Sequence, residues 1–319
     1  MHLGQTLIGP PKMLISGRLN TEVSSPREQG SQEVGRSLRS SYNVPMEGTV
    51  IQAKAGRAWF AGRALAVALA GIVLTVWLLS TPAGLLGKAD AIGYAVCHQI
   101  DLRSFHLGVR ALPVCARCSG MYLGAMLTFI FYLSRGRGRA GLMPGRPILA
   151  VMAVFFLAWA VDGVNSYLHF FPRMSGLYEP TNTLRLITGS LVGVVMATVV
   201  YAGFNQTVWV DWKREPALRS GWDLGLVVIV TAGLVAVVLS DNPLILYPLA
   251  LLSALAVVLL LSSIYTMIGL LVTGKENRIG SWRGLILPGL AGLTLAFMQI
   301  GLADIVRFWI TGTWGGLQL

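Results

Sequence analysis

Seven stretches of about twenty apolar residues run through this chain of 319 residues. Each is long enough to cross the ~30 Å hydrocarbon core of a bilayer as a helix. They cover roughly residues 59–80, 113–134, 147–171, 183–204, 222–240, 244–272 and 284–311. Only 12% of the residues are charged and the mean hydropathy is +0.65, whereas soluble domains carry about 25% charged residues. Charges that sparse cannot cover a globular surface, so the lipid bilayer serves as solvent for much of the chain. The expected fold is all-α, a polytopic integral membrane protein with about seven transmembrane helices. It divides into a four-helix membrane core over 58–205 and a three-helix C-terminal membrane extension over 206–319.

Residues 1–57 differ from everything after them. They are rich in Gly, Ser, Pro and charge, lack apolar periodicity, and cannot bury enough surface to offset chain entropy. They read as a disordered cytoplasmic tail, within which Met13 and Met46 are alternative starts. The first apolar run begins near residue 59, too far in for a signal peptide and long enough to span. With the N-terminus inside, eighteen of the 25 Lys and Arg fall on inner segments and seven on outer ones. That bias predicts an N-in, C-out topology in the plasma membrane. It also accounts for the net charge of +11 and for the tract Arg135-Gly136-Arg137-Gly138-Arg139, with no nucleic acid as partner.

The three cysteines and two of the four histidines fall between residues 97 and 118, at the mouth of the second span. Pro113 to Gly120 reads as the opening of a helix, with Cys115 and Cys118 three apart on one face. Two thiolates so placed can chelate one ion, and Cys97 supplies a third from the other limb of the loop. His98 or His106 completes a Cys₃His set for zinc or iron, and the sequence does not choose between them. A redox dithiol uses the same atoms differently. Helix N-terminal amides and Arg117 would lower the pKa of Cys115, and a Cys115-x-x-Cys118 thiol–disulfide oxidoreductase could pass electrons to a lipid quinone. The inert alternative is a structural disulfide, Cys115–Cys118 or Cys97–Cys118, in a protein with a structural, transport or sensing role and no catalysis.

Further polar residues fall at the same face. Asp162 interrupts an apolar span, where an unpaired carboxylate would neutralise or find a cation. Arg185 is its expected partner across a short loop, free also to hold an anionic headgroup or substrate. Asn182 is the expected N-cap of the fourth span, and Gly189 and Gly193 permit close helix contact. Asp304 and Arg307 are expected to pair with each other on one helix face, and His169 to be an interfacial residue.

At these residues the chain resembles a bacterial and archaeal membrane-protein family known as domain of unknown function 2085. The resemblance rests on Cys97-His98-Gln99, on Arg103-Ser104-Phe105-His106 and on the run from Pro113 to Gly124. It continues with Asp162-Gly163, Thr181-Asn182-Thr183-Leu184-Arg185-Leu186 and Thr188-Gly189, and covers about residues 85–200. It implies a multi-spanning membrane protein, supplies no activity, and draws Asp162, Asn182 and Arg185 into one site with the cysteines.

Overall fold

The computed structural model describes residues 47–169, 171 and 176–316. The expected tail lies outside the described residues up to residue 46, and its last stretch, from Glu47, already belongs to a helix. Eight helices follow in order: α1 Glu47–Ser80, α2 Leu85–Val96, α3 Ala116–Ser134, α4 Arg146–Leu168, α5 Asn182–Val208, α6 Gly221–Leu239, α7 Pro243–Val272 and α8 Trp282–Thr311. All except α2 are long and apolar enough to cross a membrane, α1 from Gly62 onward. The protein is thus a polytopic membrane protein. Its lipid-facing surface is apolar where helices have no neighbour, as along Val154, Leu157, Val161 and Val164 of α4.

Helix α2 occupies what reads as loop in the sequence. Its 12 residues rise only about 18 Å, too little to span. Small residues let it lie buried instead: Gly87, Ala89, Ala91 and Gly93 are covered where α2 packs on α7 and α8. Several helix starts are fixed by side-chain caps. The Thr181 hydroxyl accepts the Leu184 amide at 3.2 Å and the Asn242 carbonyl oxygen accepts the Leu244 amide at 3.0 Å. The cap of α5 is therefore Thr181 and not the expected Asn182, whose side chain turns to the loop described below.

The most extensive helix contact joins α3 and α5, which run side by side in the same direction. A stripe of glycines allows it. A Cβ on Gly124 would lie 2.5 Å from the Ser190 carbonyl oxygen, and one on Gly120, Gly189 or Gly193 would likewise run into the partner helix backbone. At the far end of the pair the Tyr132 and Thr198 hydroxyls bond at 2.6 Å. Helix α4 flanks α5, while α7 packs against α2, α3, α5 and α8, so the C-terminal extension and the core form one bundle. Two small strand pairs finish the ends. β1 (His106–Leu107) and β2 (Arg110–Ala111) form an antiparallel hairpin near the cysteines. β3 (Ala140–Leu142) and β4 (Lys213–Pro216) pair in parallel at the opposite end.

Candidate metal centre

The cysteines are delivered by helix ends. Cys97 caps the C-terminus of α2, its amide donating to the Gly93 carbonyl at 2.8 Å. Cys115 is the N-cap residue of α3 and Cys118 lies one turn inside it. Any side chain on Gly93 would strike the Pro113 carbonyl, which sets how closely α2 meets the approach to α3. Gln99 holds the two limbs together: its Nε2 donates to the carbonyls of Asp90 at 3.0 Å and Pro113 at 2.7 Å. The cost is a left-handed backbone at Gln99, φ 52°, which non-glycine residues rarely adopt.

So positioned, the three sulfur atoms lie within 4.8 Å of one another. Sulfurs bound to one ion at about 2.3 Å in a tetrahedron stand about 3.8 Å apart, so the donor set fits an ion after a small contraction. No disulfide joins them. The Cys97 sulfur accepts backbone amides from Cys115 at 3.3 Å and Gln99 at 3.4 Å, an arrangement that favours a thiolate or a metal-bound sulfur. Hydrogen bonds from the Cys118 and Cys97 thiols, aided by Arg117, hold Cys115 down to about 2. The hydrogen bond that the Cys97 thiol gives to Cys115, together with burial, in turn pushes Cys97 up to about 11.

A cavity of about 260 Å³ opens beside the sulfurs, lined by Arg103, Arg117, Arg185, His98, Tyr122 and Trp159 among others. Asp162, wholly buried, does not meet Arg185 as the short loop suggests. Its partner is Arg117, whose Nε donates at 3.0 Å and whose other nitrogen bonds both the carboxylate and the Ser166 hydroxyl, the latter at 2.8 Å. Tyr178 and Thr188 hydroxyls donate to the same carboxylate at 3.0 and 3.3 Å. The reason is helix register: Arg117, in the first turn of α3, lies level with Asp162 of α4 and reaches the acid first. Arg185 donates instead to the Asn182 side-chain oxygen at 2.8 Å, and its buried Nε has no hydrogen-bond partner. Asn182 also donates to the Leu102 carbonyl at 3.2 Å, and Arg103 to the Ser166 carbonyl at 3.0 Å.

The two histidines separate. His98 is exposed and lines the cysteine cavity. His106 turns to Asp101 at 2.9 Å, held on the β1 hairpin, and does not join the cysteine cluster. His169 contacts the Asn165 carbonyl at 2.8 Å. The expected Asp304–Arg307 pair does not form either. Asp304 takes the Trp77 indole N–H at 3.2 Å, while Arg307 donates to the carbonyls of Tyr94, Cys97 and His98 at 2.6, 2.5 and 2.9 Å. Three carbonyls at the end of α2 outcompete one carboxylate a turn away, and Arg307 also stacks 3.9 Å above the Tyr94 ring. Sequence reasoning gives Arg307 a different partner, names Gln99 only within a motif, and passes over Trp159 and Tyr178. An arginine inside a span was the available signal for the first, and nothing marks the last two.

Comparison with known proteins adds a relationship and no activity. An uncharacterised protein of Methanocaldococcus jannaschii is 28% identical over 123 residues, which is 39% of this chain and 72% of that protein. An uncharacterised protein of Methanothermobacter thermautotrophicus is 29% identical over 104 residues, 33% of this chain and 83% of that one. No solved structure matches. Residues 97–199, which carry the three cysteines, Arg103, Arg117, Asp162 and Arg185, match the family described as Predicted membrane protein (DUF2085), the same family that the motifs of the sequence resemble.

Proposed function

We propose that Cys97, Cys115 and Cys118 hold one metal ion, zinc or iron, at the outer face of the plasma membrane. The carrying observation is the convergence of three sulfurs within 4.8 Å from the ends of two helices. Soft thiolates select such ions, and three protein ligands leave the fourth tetrahedral position to another group, as catalytic rather than closed structural sites do. Arg117 and Asp162 support the first turn of α3 that carries two of the ligands, and His98 stands beside the cavity. The excess of Lys and Arg on the opposite side supports a cytoplasmic N-terminus.

Elemental analysis of protein purified without chelator tests this reading. We expect about one ion per chain, falling to background in Cys115→Ser and Cys118→Ser. Fully reduced thiols in a folded protein with no stoichiometric metal would sink it. The thiolate character of Cys115 favours a second reading. The Cys115 thiolate and the Cys118 thiol would close to a disulfide, releasing one proton and two electrons that, with a second proton from solvent, reduce a lipid quinone to quinol. That role predicts a thiol alkylated at neutral pH in metal-free protein and a disulfide that appears on adding quinone. Absence of both metal and thiol cycling would leave a structural, transport or sensing role.

A further inference from the structure

We infer that the cavity beside the cysteines binds a small oxyanion, a phosphate or carboxylate group, shared between the metal's fourth position and the Arg185 guanidinium. The inference deepens the metal reading and rests on it for the metal-bound half of the site. Two buried donors in this cavity have no acceptor: Nε of Arg185 and Nε1 of Trp159. Arg185 is only 5% exposed, and its one side-chain bond goes to the neutral Asn182. Buried donors left without acceptors are costly, so a group that serves them supplies acceptors only. The lining holds Arg103, Arg117 and Arg185 and no carboxylate, and Arg117 is already matched by Asp162 behind it.

Charge leads to the same ligand class. A divalent ion with three thiolates carries one negative charge. The Arg185 guanidinium, bonded through its side chain only to the neutral Asn182, lines the same cavity and offers an anion a cationic partner there. Arginine suits the task because its planar fork meets two oxygens of a carboxylate or phosphate at once. Size narrows it further. The cavity of about 260 Å³ lies below the ~300–1,000 Å³ of pockets that enclose drug-sized ligands. It takes an inorganic anion or the headgroup of one lipid, and the cavity of about 730 Å³ that shares His98, Ile100, Arg103 and Arg117 with it leaves space for the rest of such a lipid.

The test uses the full chain in detergent, loaded with cobalt(II) and titrated with inorganic phosphate and with acetate. The visible cobalt bands report the fourth ligand, calorimetry reports binding, and cobalt content is read in every sample. We expect a saturable band shift with heat, weakened at least tenfold in Arg185→Met and less in Arg185→Lys, with cobalt still near one per chain. Loaded protein whose bands and heat ignore both anions overturns the inference and leaves the metal centre standing. So does an anion response unchanged in Arg185→Met. Protein that takes no cobalt yet binds phosphate with Arg185-dependent heat overturns the metal reading while the anion site stands. A parallel titration with short-chain phosphatidic acid identifies the source: much tighter binding assigns a lipid headgroup, and equal affinity a soluble anion.

Discussion

Two buried arginine–aspartate pairs sit at opposite ends of this bundle, and they are built differently. Arg137 and Asp223 meet fork to fork at 2.9 and 3.0 Å. The Ala217 carbonyl and the Arg219 amide take up the remaining valences, the latter at 3.0 Å. Arg117 and Asp162 are equally well bonded, yet they border a cavity in which Arg185 and Trp159 have donors to spare. The first pair is closed on itself and ties the loop after α3 to the start of α6. The second borders a cavity whose lining holds two buried donors without partners. A buried ion pair is weak evidence of purpose until its neighbours are counted.

Breaking both pairs sharpens the contrast. Asp162→Leu and Arg137→Met each strand one buried charge and should cost about 3–5 kcal/mol, read as thermal unfolding in detergent. Replacing both partners restores most of that stability at either end. The double variant Arg137→Met/Asp223→Leu should keep the metal, whereas Arg117→Met/Asp162→Leu should lose affinity for it. Equal metal content in the two doubles would erase the distinction.

Arg307→Met comes next. It frees three carbonyls around Cys97 and should weaken metal binding about 10–100-fold, the usual effect of removing a group that orients a ligand. Chelator competition measures it, and unchanged affinity would make the clamp ornamental. Gly189→Ala forces α5 off the Arg117 backbone and should destabilise by about 1–3 kcal/mol. Gly233→Ala on α6 has open space around it and should be neutral or slightly stabilising.

The smallest effect concerns Asp90, outside the spans. Burial raises its pKa above the usual 3.8 despite the Arg110 guanidinium. The folded state thus holds the proton more tightly than the unfolded one, and this contribution is lost as pH rises from about 3.8 through the raised value. Asp90→Asn should melt slightly higher than wild type at neutral pH, with the gain vanishing at acid pH. A gain that grew on acidification would have the wrong sign.

The spans are legible in the sequence because lipid imposes length and apolarity on every segment that crosses it. The cysteine cluster is legible because Cys115 and Cys118 are a helical turn apart and the chain has only one other cysteine, Cys97. Partner choice is another matter. Whether Asp162 meets Arg117 or Arg185 depends on the rotation and depth of three helices, and α3 and α5 each present an arginine near the same level. Helix α2 escapes notice because its 12 residues are too few to read as a span. Arg307 looks satisfied by Asp304 three residues away in one helix, and only tertiary structure reveals the carbonyls that win it.

That arginine has a bearing on biosynthesis. It lies 210 positions after Cys97, so the ribosome delivers the cysteine loop well before the residue that locks it. During synthesis the thiols are laid out early and their lock arrives with the last helix, which makes full insertion of α8 a precondition for a rigid site.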